Sequence, residues 1–182
     1  MADLPADPAP ASSDTATLRQ PDVADAGTIA ALMRHCFTAT FGALYAPDDL
    51  AMFLDGLTLD RWRRELADPA YAFLIAERDG VAVGFAKLGP PSLPVTTSGP
   101  MIELRQLYLT ADQQGSGLAA RMMDRIIATA RTRGAGELFL SVYIHNDRAR
   151  RFYERYGFVR VGRYDFMVGR HRDEDDLMRL AL

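Results

Sequence analysis

Residues 101–119 read MIELRQLYLTADQQGSGLA, and this stretch decides the fold. The alternation at its start predicts a β-strand over 101–109. Gly115 and Gly117 follow, and then an apolar stripe of helical period predicts a helix over 118–133. A strand, a glycine loop and a helix in this order indicate a mixed α/β sheet with helices packed on it.

The glycine loop is a candidate anion site. Gly115 and Gly117 have no Cβ, so successive backbone N–H groups can approach an oxygen anion closely. The unpaired N–H groups at the start of the helix, together with its dipole, favour a phosphate or pyrophosphate. The loop matches neither a Walker loop nor the dinucleotide fingerprint. A tight turn without a ligand is the alternative interpretation.

The remaining elements are predicted outward from this stretch by apolar period and turn residues. They are helices at 23–37, after Pro47 and at 59–66, a hairpin of strands 71–77 and 81–88, a loop at 89–100, a strand at 138–144, a helix capped by Asn146, and strands at 158–168 and 177–182.

Composition predicts one folded domain over 18–182, preceded by a disordered tail over 1–17 that is rich in Ala, Pro, Asp and Ser. Cys36 is the single cysteine, so no intrachain disulfide can form. The start of the chain lacks the pattern of a signal peptide, and no run is apolar enough to span a membrane. These features predict a cytoplasmic protein without a membrane partner, and the scattered histidines predict no metal site.

The net charge of −3 gives no case for nucleic-acid binding. Its distribution is uneven, because acids outnumber basic residues over 1–104 whereas arginines outnumber acids over 121–172. Such a division suits a site with one anionic and one cationic ligand. Two ordinary solvated faces explain the division equally well.

A second motif lies at 146–158, NDRARRFYERYGF. Asn146 stands at a strand-to-helix junction, where its side chain could cap the helix or bond a ligand. The hydroxyl of Tyr153 needs a partner if it is buried. Together with Glu103, Leu107–Leu109 and the glycine loop, this motif resembles the GNAT superfamily of acetyl-CoA-dependent N-acetyltransferases. The resemblance covers roughly residues 18 to 182.

The resemblance implies an α/β GNAT fold, a mixed and mostly antiparallel sheet with helices on both faces. It also implies acetyl-CoA as cosubstrate, with no metal. The strand would pair its backbone with the pantetheine arm, the loop amides would wrap the pyrophosphate, and Asn146 would contact the cofactor. The implied cofactor-binding residues are Leu107, Tyr108, Leu109, Gln114, Gly115, Ser116, Gly117, Leu118, Ala119, Asn146 and Tyr153.

Two residues are predicted to be catalytic. Tyr153 would protonate the departing thiolate of coenzyme A, with a purely structural tyrosine as the alternative. Glu103 would act as general base or substrate anchor, because strand alternation predicts that it shares a face with Leu107. An ion pair with Arg105, or simple exposure, is the alternative for Glu103.

The acceptor pocket is predicted to involve the first two helices, the loop between them and two tyrosines further on. The candidate residues are Phe37, Phe41, Tyr45, Asp48, Asp49 and Tyr143, with Glu103 as anchor and Tyr164 as a further wall. Asp48 and Asp49 could hold an ammonium group, although an N-cap and first-turn role explains at least one of them. The run Asp173–Asp176 could attract a cation, but we expect a solvated turn there.

Residues 37–54 and 162–180 resemble bacterial spermidine/spermine N-acetyltransferases. That resemblance implies a small-molecule amine acceptor, with a polyamine favoured. Transfer to a protein N-terminus, a lysine or an aminoglycoside by the same fold stays open, as do a non-catalytic acyl-CoA sensor and a homodimer.

Overall fold

The computed structural model describes residues 16–97 and 99–182. Within them the chain forms one seven-stranded sheet and five α-helices, together with short 3-10 turns. The strands are β1 (Thr17–Arg19), β2 (Ala72–Arg78), β3 (Val81–Gly89), β4 (Met101–Leu109), β5 (Glu137–Tyr143), β6 (Val159–Val168) and β7 (His171–Ala181). The helices are α1 (Ala26–Phe41), α2 (Pro47–Asp55), α3 (Leu59–Ala67), α4 (Leu118–Thr132) and α5 (Asp147–Arg155).

The sheet has the order β1-β2-β3-β4-β5-β7-β6 and is antiparallel except between β4 and β5. The parallel pairing of β4 with β5 extends only from Met101↔Glu137 to Glu103↔Phe139. Beyond Glu103 the two strands separate, so β4 keeps a free edge on that side. The fold therefore opens a gap in the middle of its own sheet.

Helices pack on both faces of the sheet and give it two cores. On one face α4 buries Met122, Met123 and Ile126 and packs against β2, β3 and β4. On the other face α1 and α3 bury a second cluster that includes Trp62 and Phe85. Complete burial of each such side chain contributes roughly 1.5–3 kcal/mol. The layers confirm the predicted fold class.

Local signals in the sequence set most element boundaries. Asp22 caps a 3-10 turn that leads into α1, and its side chain accepts from the backbone N–H of Ala24 at 2.7 Å. The β2–β3 hairpin turns through Asp79 and Gly80, which both have positive φ as a two-residue hairpin turn requires. Gly134, with φ of +78°, follows the end of α4. The predicted helices and hairpin are confirmed.

The last strand is longer than predicted. β7 begins at His171 rather than near Leu177, and the run Asp173–Asp176, expected as a solvated turn, lies within it. The expectation was wrong because β7 lies between β5 and β6 and pairs with both. Tertiary pairing therefore overrides the low strand propensity of aspartate.

The predicted boundary of the folded region is also displaced. Ala16 is buried and Thr17 begins β1, where it pairs with Glu77. The folded region therefore includes two residues that the sequence analysis gave to the tail. The rest of the predicted tail, residues 1–15, lies outside the described residues.

A β-bulge in β4 overturns the argument that placed Glu103 beside Leu107. Leu104 pairs with Leu88 and Gln106 with Lys87, so Arg105 is the extra residue. One inserted residue reverses the alternation beyond it. Leu107 consequently packs on the α4 side, whereas Glu103 lies on the opposite face.

Candidate functional site

A cavity of about 490 Å³ occupies the gap between β4 and β5. Its walls come from β4, the glycine loop, β5, β7, α1 and α5. The following residues predicted for the site line it: Phe37, Phe41, Tyr45, Leu107, Tyr108, Leu109, Gln114, Gly115, Gly117, Ala119, Tyr143, Asn146 and Tyr153. The structure thus joins two motifs that are about thirty residues apart in the chain.

At one end of the cavity the glycine loop presents unpaired backbone donors. Gly115 and Gly117 both have φ of +82°, a left-handed conformation that other residues adopt only with strain. The N–H groups of Gly115, Gly117 and Ala119 have no hydrogen-bond partner within residues 16–97 and 99–182. Three such donors at the start of α4 suit an oxygen anion.

Ser116 and Leu118 hold this loop from behind and do not line the cavity. The Ser116 hydroxyl donates to the carbonyl of Gln113 at 2.7 Å and accepts from the N–H of Leu118 at 3.3 Å. The Leu118 side chain is buried in the α4 core. Both residues therefore act on the loop conformation through its backbone.

Two arginines that were not singled out from the sequence add positive charge near the loop. Arg148 and Arg155 line the cavity, and the Arg148 guanidinium donates to Oε1 of Gln114. They lie seven residues apart on α5, which places them on one face of the helix. Helical periodicity, counted from Asn146 and Phe152, could have predicted that both arginines lie on the face directed towards the site.

Tyr153 lies in the wall of the cavity, half-buried between Phe152 and Phe158 at centroid distances of 5.5 and 5.6 Å. No hydrogen bond from its hydroxyl is found in the described part of the chain. Burial raises the pKa of Tyr153 to about 12, so the hydroxyl stays protonated near neutral pH and can donate. Asn146 accepts from the N–H of Ala149 at 3.2 Å, so it caps α5 while also lining the cavity.

The other end of the cavity has aromatic walls. Phe37 of α1 lies 5.2 Å from Phe41 and 6.0 Å from Tyr45, between ring centroids. Tyr143 of β5 meets Phe41 edge-on at 6.3 Å. These four rings, which are predicted from the sequence to line an acceptor pocket, lie together at this end of the cavity.

Two carboxylates of β7, Asp173 and Asp175, complete this end, with 5 % and 6 % exposure. The Tyr45 hydroxyl donates to Oδ2 of Asp173, and Nε2 of His171 lies 3.2 Å from Oδ1. Burial raises the pKa of Asp175 to about 6; the Ser141 hydroxyl opposes that change, and the neighbouring aspartates reinforce it. These carboxylates do not lie in the solvated turn that the sequence pattern predicts.

Strand alternation gives the acidic run two different environments. Asp176 faces away from the cavity and meets the Nε atoms of Arg150, Arg160 and Arg163 at 3.2, 2.9 and 3.2 Å. Asp175 forms no ion pair with any described residue. The arginines therefore neutralise the negative charge of Asp176, whereas Asp175, which lines the cavity, has no such partner in the described part of the chain.

Glu103, the predicted base, does not line the cavity. Its carboxylate accepts from the N–H groups of Ser92 and Leu93 at 2.7 and 3.2 Å, and from the Ser92 hydroxyl. Its Oε1 lies 4.0 Å from Nε of Arg105. Glu103 thus anchors the loop between β3 and β4 on the face to which the bulge directs it.

The remaining acceptor candidates also lie elsewhere. Asp49 accepts from the N–H and the Nε of Arg170, at 2.9 and 3.0 Å, and so ties α2 to the β6–β7 hairpin. Asp48 is exposed in the first turn of α2. Tyr164 packs against the small cluster around Leu93. Structural roles explain all three.

The described residues include neither a candidate metal site nor a helix that could span a membrane. Among the described residues no group of three or more His, Cys, Asp or Glu side chains could hold a metal ion. None of the described helices has the length and apolarity that crossing a membrane requires.

Comparison with known proteins identifies the family that has this sequence pattern. Residues 29–158 match the model of the Acetyltransferase (GNAT) family, which is more than half of the chain. The chain belongs to the GNAT family of acetyltransferases. It is 36% identical to an uncharacterized N-acetyltransferase of Mycobacterium tuberculosis, over 85% of this chain and 96% of that one. An uncharacterized N-acetyltransferase of Lactobacillus delbrueckii is 30% identical, over 84% of this chain and 89% of that one.

Solved structures show the same GNAT fold. The PaiA N-acetyltransferase of Thermoplasma acidophilum, solved with coenzyme A, superposes with a TM-score of 0.73 at 18% identity, over 92% of this chain and 99% of that one. The Salmonella typhimurium protein yncA, solved with acetyl-CoA, superposes with a TM-score of 0.70 at 23% identity, over 92% of this chain and 94% of that one. This GNAT protein is therefore an N-acetyltransferase.

Proposed function

We propose that this GNAT protein transfers the acetyl group of acetyl-CoA to a primary amine of a small polycation, with a polyamine such as spermidine as the favoured acceptor. The proposal depends on one observation: Asp173 and Asp175 are buried carboxylates that line the same aromatic cavity as Tyr153, and Asp175 forms no ion pair with any described residue. A buried negative pair of this kind attracts ammonium groups.

Acetyl-CoA fits the loop end of the cavity. The unpaired N–H groups of Gly115, Gly117 and Ala119, with Arg148 and Arg155 beside them, would hold its diphosphate. The free edge of β4 would pair with the amides of the pantetheine arm. Bound acetyl-CoA supplies the activated acetyl group, and related structures contain coenzyme A or acetyl-CoA.

The acceptor end favours a small organic cation. Rings such as Phe41 and Tyr143 attract a desolvated ammonium through their faces. Asp173 and Asp175 are two residues apart on one strand face, so their Cα atoms are separated by roughly 7 Å. That spacing suits two ammonium groups joined by three or four carbons.

The protein would act on the reaction mainly through alignment and charge. Holding amine and thioester together can account for about 7–11 kcal/mol of the barrier. An N–H group on the free edge of β4, near Leu107, would stabilise the oxyanion. The Tyr153 hydroxyl would donate its proton to the departing sulfur. The ammonium and the thioester together yield an amide, a thiol and one proton.

A turnover screen tests this proposal. Release of the thiol of coenzyme A is followed with spermidine, spermine, putrescine, an aminoglycoside, and peptides with a free N-terminus or a lysine. We expect the polyamines to give the highest kcat/KM. Turnover of a peptide while polyamines stay inert would contradict the acceptor, and failure to bind coenzyme A at millimolar concentration would contradict the whole proposal.

A pair of variants localises the acceptor. Asp173→Asn should raise KM for spermidine about tenfold, because a buried charge-assisted contact is lost. Asp165→Asn is the matched control, since Asp165 lies on β6 outside the cavity, paired with Arg172. Equal KM values in the two variants would place the polyamine elsewhere. A cytoplasmic location and a homodimer stay predictions from the sequence.

A further inference from the structure

The two cavity-facing carboxylates of β7 differ in what holds them. Both oxygens of Asp173 have neighbours, since Oδ2 accepts from the Tyr45 hydroxyl and Oδ1 faces Nε2 of His171. Asp175 pairs with no cation in the part of the chain that the structure describes. Asp173 is thus held by two neighbours, whereas Asp175 accepts from the Ser141 hydroxyl and has no ion-pair partner among the described residues.

The other ionisable groups that line the cavity are poor proton acceptors. Burial raises the pKa of the tyrosines there above its ordinary value, so all of them keep their protons at neutral pH: Tyr45, Tyr108, Tyr143 and Tyr153. The arginines of the cavity cannot release theirs. Glu103 lies outside the cavity, engaged with Ser92 and Leu93.

The groups that face Asp175 come from three strands and one loop. On β7 these are Asp173 on the same face and Asp176 beside it in sequence, the latter directed towards its arginines. The neighbouring strands contribute the hydroxyls of Ser141, Tyr143 and Tyr108. His171 and Tyr45 act on Asp173. The surroundings are acidic or neutral, which makes Asp175 a stronger base than an exposed aspartate.

We propose that Asp175 is the general base of the reaction, and that Asp173 holds the other end of the polycation. This inference rests on the polyamine acceptor proposed above. It gives unequal roles to two residues of the same type that lie two positions apart.

The proton balance is complete with groups already named. The acceptor R–NH3⁺ gives one proton to the Asp175 carboxylate and becomes a neutral amine whose lone pair can form the C–N bond. The C–S bond breaks, and the sulfur takes a proton from Tyr153. The new amide nitrogen then returns a proton to the Tyr153 oxygen. Asp175 releases its proton to water, which is the one proton of the overall reaction.

The pH dependence of kcat with spermidine tests the assignment. Wild-type protein should reach a plateau near neutral pH. In Asp175→Asn we expect kcat to fall about 100-fold at pH 7, as for loss of a general base. That deficit should shrink towards pH 9, because solution then supplies the neutral amine. Asp175→Glu should recover part of the rate, since it restores a carboxylate.

Asp173→Asn is the matched comparison. It should raise KM for spermidine while the pH profile of kcat keeps its wild-type shape. Calorimetry of spermidine binding without acetyl-CoA gives a readout independent of turnover. Here Asp173→Asn should weaken binding about tenfold and Asp175→Asn less than fivefold, because Asp175 becomes neutral once it has taken the proton.

The outcomes separate the two proposals. Wild-type protein that turns over spermidine, with Asp175→Asn keeping kcat within threefold at pH 7, overturns the role of Asp175 and leaves the acceptor standing. A rate deficit that is constant from pH 6 to 9 also overturns it, because a misplaced substrate gives that result. Wild-type protein inactive with every polyamine overturns the acceptor and the inference together.

Discussion

The two ends of the cavity are built from different chemistry. At the loop end the backbone supplies the donors, because Gly115 and Gly117 adopt conformations that expose N–H groups and need no particular side chain. At the β7 end side chains supply the charge, and burial of Asp173 and Asp175 costs free energy in the unliganded fold. Backbone donors suit a ligand that stays the same among related proteins. A site made of side chains can become specific for a different acceptor through single substitutions.

The largest effect is expected at the junction of the two ends. Tyr153→Phe removes the proton donor for the sulfur, so kcat should fall about 100-fold while the affinity for coenzyme A stays unchanged. Steady-state kinetics and calorimetry measure both quantities. Tyr156→Phe is the control, because Tyr156 does not line the cavity and its hydroxyl bonds the carbonyl of Ala120 and Oδ1 of Asp124. A chain with no turnover before mutation would instead be an acyl-CoA sensor.

The next largest effect tests the loop end. A valine at position 117 must adopt positive φ, which costs about 1–2 kcal/mol, or must move the N–H groups. Gly117→Val should therefore weaken coenzyme A binding about tenfold in calorimetry. Gly134→Val is the matched control, because Gly134 also has positive φ and open space for a Cβ but lies at the far end of α4. Equal losses of affinity would show that the loop amides do not hold the ligand.

The third effect concerns the stability cost of the β7 end. The pKa of Asp175 is about 6 in the fold and about 3.9 in the unfolded chain, so protonation of Asp175 stabilises the fold fully below pH 4 and this contribution is lost as pH rises through 6. Asp175→Asn should consequently raise the unfolding free energy by about 3 kcal/mol at pH 7.5, but by only about 0.5 kcal/mol at pH 4. Urea denaturation at both values measures this. If Asp175→Asn were less stable than the wild-type protein at pH 7.5, the charge of Asp175 would not be uncompensated in the fold.

The smallest expected effect tests whether Glu103 has a structural role outside both ends of the cavity. Glu103→Gln weakens the charge-assisted bonds that hold the Ser92 loop, so the unfolding free energy should fall by about 1–2 kcal/mol. The kcat should stay within threefold of the wild-type value. Glu154→Gln, an exposed change on α5, is the control for stability. A hundredfold loss of kcat without loss of stability would restore Glu103 as the base.

Sequence patterns predicted the loop end well because its signals are local. A glycine pair before a helix, a cap residue such as Asn146 and apolar residues at helical spacing each act within a few positions. The prediction failed where one residue changed the register, since the extra Arg105 puts Glu103 on the face opposite to Leu107, where the loop at Ser92 binds its carboxylate. Nothing in the stretch 101–109 marks that bulge before strand pairing is known.

The sequence by itself determined the order of strands and helices, the position of the glycine loop and the aromatic side chains that line the acceptor end, because these follow from period and turn chemistry. Tertiary structure alone decided the chemistry of β7. An acidic run such as Asp173–Asp176 is stable in a strand only when the fold surrounds one face with arginines and leaves the other to a cavity. The free energy of an aspartate depends on what lies across the sheet, and the neighbours of Asp175 come from segments far away in the chain.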